Sequence, residues 1–279
     1  MWKKRIGGSD VLTRIITAVL GIPLVIIVLL LGGTWLKVAM LVVSGIALYE
    51  MYHVMRENYK PIKWLGYSVI GMYYLFFEWV QNYFLIFIGL IVVLLLTVMV
   101  IKYPKYSIID VALTLFPVLY TSLLFSFIAL IRDIEYGMFW VWLIPISSWG
   151  SDTCAYFTGI TIGKHKLAPQ LSPKKTIEGS IGGVLGAGVI GYIYTMIYTS
   201  YSSAELRGYM VLVVIAVILS AILSQIGDLA ASAIKRYFKE KDFGYLLPGH
   251  GGILDRFDSL LFVAPAIYTA VLVAENIMR

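Results

Sequence analysis

Long apolar runs alternate with short polar connections along almost the whole chain. Each run approaches the roughly 20 residues that a helix needs to cross the hydrocarbon core of a bilayer. The pattern predicts an all-α polytopic integral membrane protein with about nine transmembrane helices. The predicted spans are Val11–Leu31, Thr34–Met55, Trp64–Val80, Tyr83–Ile101, Ile108–Ile131, Met138–Ile160, Ile177–Tyr198, Tyr209–Ile234 and Ile253–Ile277.

The composition agrees with this class and excludes several others. Of 279 residues, 60% are hydrophobic and 14% are charged, and the mean hydropathy is +0.86. Soluble domains do not reach these values. A single cysteine, Cys154, excludes an intramolecular disulfide. The net charge of +6 is not gathered in a large basic domain outside the membrane, so no nucleic-acid partner is expected.

Lysine and arginine residues are distributed unequally between the two sides of the predicted helices. Of the 22, 18 fall at the N-terminus and in the even-numbered connections, and 4 fall on the other side. The positive-inside rule therefore predicts a cytoplasmic N-terminus and, after an odd number of spans, an external C-terminus. We expect a multi-pass protein of the inner (cytoplasmic) membrane whose active site faces the cytoplasm.

Two polar connections, residues 161–176 and 236–252, are the longest and lie on the same predicted side. They hold most of the residues that could carry chemistry. We therefore divide the chain into residues 1–137, with about five helices of unassigned role, and a catalytic region, residues 138–279.

The second of these connections leads into a pair of carboxylates. Asp255 and Asp258 are three residues apart at the start of the last span, so they share a helix face. Glycines and several cations precede them. This combination indicates a metal-bridged phosphate site at a helix N-terminus. An ordinary basic cytoplasmic loop would explain the lysines, but not two carboxylates that enter a membrane segment.

Asp228 is a third carboxylate, placed within the apolar eighth span. One interpretation is an intramembrane pair with Lys235, which lies on roughly the same helix face. The other is a site for Mg²⁺, because Asp228 can meet Asp255 and Asp258 from the following span, and carboxylate oxygens suit that ion.

The first long connection contains a predicted phosphate-binding helix start. Ser172, followed by a proline, is typical of an N-cap, which would place Lys175 and Thr176 in the first helical turn. A cation there opposes the helix dipole unless an anion binds beside it. Just upstream, Asp152 and Tyr156 are four residues apart on one helix face and could support the site.

Small residues recur in the seventh span and predict close helix packing, either within the chain or between two protomers of a homodimer. They are Gly182, Gly183, Gly186, Ala187 and Gly191.

The motifs of the C-terminal half resemble those of a known family, the phosphatidate cytidylyltransferases, also called CDP-diacylglycerol synthases. The main signature is Ser232-x-Ile234-Lys235-Arg236, Lys241-Asp242-x-Gly244 and Leu247-Pro248-x-His250-Gly251-Gly252-Ile253-x-Asp255-Arg256-x-Asp258. The upstream part is Asp152-x-x-Ala155-Tyr156-Phe157-x-Gly159, Gly163-Lys164 and Ser172-Pro173-x-Lys175-Thr176-x-Glu178-Gly179. The first half of the chain resembles the family only in its hydrophobic spans.

The resemblance implies that phosphatidic acid and CTP react, with Mg²⁺, to give CDP-diacylglycerol and pyrophosphate in phospholipid biosynthesis. It implies catalytic roles for Asp228, Asp255, Asp258, Lys235 and Arg256, with the three aspartates as metal ligands. The residues expected to bind the phosphates or CTP are Ser172, Lys175, Thr176, Ser232, Arg236, His250 and Gly251.

Two other functions place charged residues in a membrane. A secondary transporter would do so, but here the charges gather at one face and no inverted repeat is visible. A CDP-alcohol phosphotransferase would need a paired acidic motif followed by Ala-Arg, which this chain lacks.

The charge distribution makes a testable prediction of topology. In a Cys154→Ala background, single cysteines at Lys239 and Arg279 should react with an impermeant maleimide from opposite sides of sealed membranes. Reaction of both from the same side would contradict the odd number of spans.

Overall fold

The computed structural model describes residues 8–202, 204–247, 249 and 251–278. The helices in this part of the chain are α1 (Gly8–Leu31), α2 (Gly33–Met55), α3 (Lys63–Leu75), α4 (Phe77–Asn82), α5 (Phe84–Ile101), α6 (Ile108–Val118), α7 (Leu124–Asp133), α8 (Gly137–Pro145), α9 (Ser151–Ile162), α10 (Ile177–Tyr201), α11 (Met210–Tyr237) and α12 (Leu254–Met278). A short 3₁₀-helix, Ala204–Tyr209, precedes α11. Two strands, β1 (Lys166–Ala168) and β2 (Ser172–Thr176), pair antiparallel as a hairpin between α9 and α10.

The prediction of a mostly helical, polytopic membrane protein is confirmed. Among the described residues, six helical segments are long and apolar enough to cross a membrane. They are Gly33–Met55, Phe84–Ile101, Ile108–Asp133, Ile177–Tyr201, Leu206–Tyr237 and Leu254–Asn276. The predicted third span differs, because α3 ends at Leu75 and α4 begins at Phe77. The β-hairpin is a further departure from the all-α prediction.

Two long helical segments contain a turn of π-helix. Leu119–Leu123 joins α6 to α7, and Ile146–Gly150 joins α8 to α9. Each turn follows a proline, Pro117 or Pro145. Proline has no backbone N–H, so one hydrogen bond of the regular helical ladder is missing next to each of these turns.

The chain forms two compact units that are discontinuous in sequence. One contains Met1–Ser126 and Phe238–Arg256, and the other contains Phe127–Tyr237 and Phe257–Arg279. We call them the N-terminal unit and the C-terminal unit. The connection that carries the signature glycines, here called the signature loop (residues 238–253), thus packs with the N-terminal helices.

In the N-terminal unit, buried tyrosines and a threonine join α2, α3 and α6. Tyr52 of α2 donates its hydroxyl to the carbonyl of Thr114 at 3.1 Å, and the Thr114 hydroxyl accepts the N–H of Ile62 at 2.7 Å. The hydroxyls of Ser44 and Tyr74 are 3.0 Å apart. Hydrogen bonds of this kind satisfy polar groups that would otherwise be costly in an apolar interior.

In the C-terminal unit, glycines let α10 approach its neighbours closely. A Cβ on Gly183 would lie 2.8 Å from the carbonyl oxygen of Ser151 on α9, and one on Gly191 would lie 3.0 Å from Val217 on α11. Gly186 faces Cys154 in the same way. The predicted close packing of this stripe is therefore confirmed within the chain.

This packing predicts a position-dependent effect of adding one methyl group. Gly183→Ala should lower the melting temperature in detergent, because its Cβ meets backbone atoms and overpacking costs about 1–3 kcal/mol. Gly71→Ala on α3 is the control, since no atom lies within 4 Å of its Cβ position. Equal melting temperatures for the two variants would contradict the close approach of α9 and α10.

Candidate active site

A cavity of about 440 Å³ opens in the C-terminal unit. It lies where α9, the hairpin, the first turn of α10 and the C-terminal half of α11 meet. Its size is in the range of small-molecule sites. Its walls are mainly apolar, and its polar groups come from four separate elements. The lining residues are Asp152, Ala155, Tyr156, Gly159, Ile160, Leu167, Lys174, Lys175, Thr176, Gly179, Ser180, Gln225 and Asp228.

An ion pair joins two walls of this cavity. The Lys175 Nζ of β2 lies 2.5 Å from Asp228 Oδ2 of α11, and their side chains are 27% and 31% exposed. Asp152 is close enough for the charges of both to act on it. The cavity therefore brings two carboxylates and the Lys175 ammonium group close together, and Lys174 adds a second ammonium group to its lining.

The predicted helix start at Ser172 is wrong. Residues Ser172–Thr176 form strand β2, and α10 begins at Ile177 with Thr176 as its N-cap. The Thr176 hydroxyl accepts the N–H of Gly179 at 3.1 Å. The hairpin competes successfully because β1 supplies cross-strand partners that local capping preferences do not include. Lys175 is in β2 and directly precedes Thr176, the N-cap of α10, so it still lies next to a helix N-terminus.

Glu178 secures the connection between α9 and β1. Its carboxylate accepts the backbone N–H groups of Lys164, at 3.0 Å, and His165, and it lies 2.6 Å from His165 Nδ1. His165 therefore helps to anchor the hairpin to α10.

The sequence interpretation missed a polar clamp beside the ion pair. Gln225 of α11 donates to the carbonyl of Ser180 on α10 at 3.0 Å, and its side-chain oxygen accepts the Ser180 hydroxyl. Gln225 lies three residues before Asp228 on an apolar helix, so its spacing was a usable signal. The clamp fixes α10 against α11 at the cavity.

In the N-terminal unit, Asp255 orders the signature loop. Its Oδ2 accepts the N–H groups of Phe243, at 2.8 Å, and Gly252, at 2.9 Å. Gly251 has φ of 84°, in the left-handed region that favours glycine. Its carbonyl accepts the Leu247 N–H at 2.9 Å.

The role of a buried carboxylate in this unit, Glu50, was not foreseen. Glu50 of α2 accepts the N–H groups of Ile253, at 2.9 Å, and Leu254, at 2.8 Å, at the start of α12. Only 2% of Glu50 is exposed. A carboxylate inside an apolar run was the signal that could have identified it, although nothing in the sequence names its partners.

Asp258 lies in the C-terminal unit and is 5% exposed. Its Oδ1 accepts the N–H of Ser259 at 2.7 Å, and the Ser259 hydroxyl lies 2.7 Å from that of Ser148. Ser148 belongs to the π-turn before α9. The start of α12 therefore carries a buried polar network within this unit.

Comparison with known sequences gives the decisive observation. The profile described as "Cytidylyltransferase family" matches residues 12–274, nearly the whole chain. The chain belongs to the cytidylyltransferase family.

Similar sequences of this family are named phosphatidate cytidylyltransferase. The chain is 34% identical over 268 residues to one from Bacillus subtilis (strain 168), which covers 93% of this chain and 97% of the relative. It is 34% identical over 260 residues to one from Staphylococcus haemolyticus, which covers 91% and 96%. It is 32% identical over 279 residues to one from Thermotoga maritima, which covers 97% and 100%.

The structure distributes the remaining predicted site residues of this cytidylyltransferase as follows. Ser232, Lys235 and Arg236 lie on the last turns of α11, where Lys235 is buried and Arg236 is exposed. Arg256 is exposed in the first turn of α12. His250 falls outside the described residues.

Asp228, Asp255 and Asp258 are the three predicted metal ligands. In the residues that the structure describes, no group of three or more His, Cys, Asp or Glu is arranged to hold a metal ion. The ion pair that the structure gives Asp228 is with Lys175. The assignment of metal ligands stays a prediction.

The Lys175–Asp228 pair allows a test of whether these residues serve structure or chemistry. Lys175→Met, Asp228→Asn and the double variant should each lower cytidylyltransferase turnover by about 10²-fold or more. Stability should change by no more than about 1 kcal/mol, because both side chains are partly exposed. Turnover is measured alongside detergent melting. Recovery of turnover in the double variant would show that the pair is only structural.

Proposed function

We propose that this protein is an integral membrane enzyme that transfers CMP from CTP to phosphatidic acid, giving CDP-diacylglycerol and pyrophosphate. The single observation that carries the proposal is the C-terminal cavity, in which Lys175, Asp228 and Asp152 form a charged cluster. Family membership and the names of the full-length relatives support the same activity and a role in phospholipid biosynthesis.

The chemistry is an in-line displacement. A phosphate oxygen of phosphatidic acid attacks the α-phosphorus of CTP, the new P–O bond forms, and the bond to the β-phosphate breaks to release pyrophosphate. The attacking phosphate is already ionised near neutral pH, so no strong general base is needed. The main obstacle is repulsion between two polyanions, and catalysis consists of positioning them and offsetting their charge.

Lys175 is the residue best placed to offset that charge. Its ammonium group can exchange the Asp228 carboxylate for a phosphate oxygen, because both partners are partly exposed to the cavity. Lys174 lines the same cavity. The N-terminus of α10, capped by Thr176, adds the positive end of a 25-residue helix.

The donor set of this cavity fits Mg²⁺. That ion is usually held by one or two carboxylates and completes its shell with water and substrate phosphates, and Asp152 and Asp228 supply two carboxylates. When bound, Mg²⁺ would neutralise charge on the triphosphate oxygens. Asp255 and Asp258 remain predicted further ligands on the basis of the sequence.

Further substrate contacts are proposed from the sequence motifs. Lys235, Arg236 and Arg256 are assigned to the phosphates, and Ser172, Ser232, His250 and Gly251 to the nucleotide. The lipid headgroup would lie at the cytoplasmic interface, with its acyl chains between the spans.

The membrane arrangement is part of the same proposal. Nine spans with the N-terminus in the cytoplasm would place the active site on the cytoplasmic side of the inner membrane, where CTP is available.

The homodimer also stays a proposal. Gly183, Gly186 and Gly191 contact helices of their own chain, so a dimer would have to use other surfaces.

The proposed reaction predicts both products. Purified protein in detergent, given phosphatidic acid, labelled CTP and Mg²⁺, should form labelled CDP-lipid and pyrophosphate in equal amounts. Chelation of the metal should abolish turnover. Asp228→Asn should lose it, whereas Glu78→Gln, which removes a carboxylate paired with Lys37, should keep it. Failure of the wild-type protein to form CDP-lipid from any nucleoside triphosphate would contradict the proposal.

A further inference from the structure

Glu50 and two glycines that lie against it form a close, hydrogen-bonded contact between α2 and the signature loop. The two carboxylate oxygens are divided between two donors, with Oε1 accepting from Ile253 and Oε2 from Leu254. The donors and the carboxylate are separated by 203 residues or more along the chain. All of these residues belong to the N-terminal unit.

Two glycines of the loop lie so close to this carboxylate that neither position has room for a side chain. A Cβ at Gly244 would lie 2.6 Å from Glu50 Oε1, and a Cβ at Gly252 would lie 2.5 Å from both carboxylate oxygens. These approaches are closer than any side-chain carbon can make without displacement. The two glycines therefore let both sides of the loop close on Glu50.

Asp255, in the first turn of α12, completes the arrangement. Its Oδ2 takes the N–H groups of Phe243 and Gly252, while Glu50 takes those of Ile253 and Leu254. Two carboxylates thus accept hydrogen bonds from four backbone donors, of which three are in the loop and one is the first residue of α12. Helix starts have unpaired N–H groups at their positive end, where a negative charge is favourable.

A carboxylate has chemical advantages here over other polar groups. It offers only acceptors, so both oxygens can face N–H groups at once. Glutamine in the same place would present one oxygen and one NH₂ group. The NH₂ group would face a backbone N–H, which would then have no acceptor. The cost of keeping Glu50 in an apolar helix is explained if the contact has a function.

We propose that Glu50 is a positioning residue, which holds the signature loop and the first turn of α12 in the conformation that the cytidylyl transfer requires. This gives the N-terminal helices a role in the reaction. Asp255 and Arg256 follow directly after the backbone that Glu50 binds, so a shift of that backbone moves both side chains. The proposal rests on the proposed function for its activity readout.

The test compares three variants with wild type, all as the full-length protein in detergent. Glu50→Gln should lower kcat for CDP-lipid formation by about 10- to 100-fold, the effect expected of a displacement near 1 Å, with the KM for CTP changed less than threefold. Gly244→Ala reaches the same contact from the loop side without removing the charge, and it should show the same kcat loss. Amide exchange of residues 251–255 should become faster in both.

Ser44→Ala is the matched control on α2. Ser44 is fully buried and is hydrogen-bonded to Tyr74, so its loss weakens the same helix without touching the loop. It should lower the melting temperature while kcat and loop exchange stay at wild-type values.

Two outcomes would overturn the proposal. One is wild-type kcat and loop exchange in both Glu50→Gln and Gly244→Ala. Another is a kcat loss in Ser44→Ala equal to theirs at a temperature where all variants are folded. If Glu50→Gln does not fold, Gly244→Ala decides alone. The exchange measurement needs no substrate, so failure of the positioning role is distinguishable from absence of the cytidylyltransferase activity.

Discussion

An ionisable group in an apolar, membrane-embedded chain must be paired, and this constraint shapes both units of the protein. Isolated charges in such surroundings cost several kcal/mol or more, at order-of-magnitude level. The C-terminal unit meets the constraint with an ion pair between Lys175 and Asp228. The N-terminal unit meets this constraint with hydrogen bonds that backbone N–H groups donate to Glu50 and Asp255. Each solution also determines what the carboxylates can do.

The two solutions differ in how easily they are exchanged. The Lys175–Asp228 pair lines an open cavity and is partly exposed, so a phosphate or a metal ion can replace either partner at low cost. Glu50 is buried and held by two hydrogen bonds to backbone, so losing it leaves N–H groups without acceptors. The first arrangement suits substrate binding and the second suits a fixed scaffold. In the proposed reaction, the first arrangement binds the phosphates and the second holds the signature loop.

Much of the fold was predictable because hydrophobic run length reports directly on helices in a bilayer. The motif spacing also identified Asp152, Lys175, Thr176 and Asp228, which do line one cavity. The local helix-start signal at Ser172 failed because strand pairing with β1 is a nonlocal effect. Glu50 was missed for a related reason, since its partners are backbone groups far along the chain, and backbone groups leave no mark in a sequence.

The partnership of Lys175 with Asp228 was also not foreseen, although both residues were singled out. Sequence spacing along one helix favoured Lys235 as the partner of Asp228, whereas β2 brings Lys175 there from a separate element. Residue spacing predicts contacts between side chains of the same helix, and it cannot predict a contact between a helix and a hairpin strand. The sequence therefore identified the chemistry-bearing side chains better than it identified their contacts.

The function proposed above requires the charged cavity of the C-terminal unit to bind the triphosphate of CTP. An experimental structure with Mg²⁺ and a CTP analogue that cannot be cleaved between the α- and β-phosphates tests it most directly. The account predicts phosphates in the cavity, with Lys175 Nζ within hydrogen-bond distance of a phosphate oxygen and separated from Asp228. A nucleotide bound elsewhere, with the Lys175–Asp228 pair intact, would contradict it.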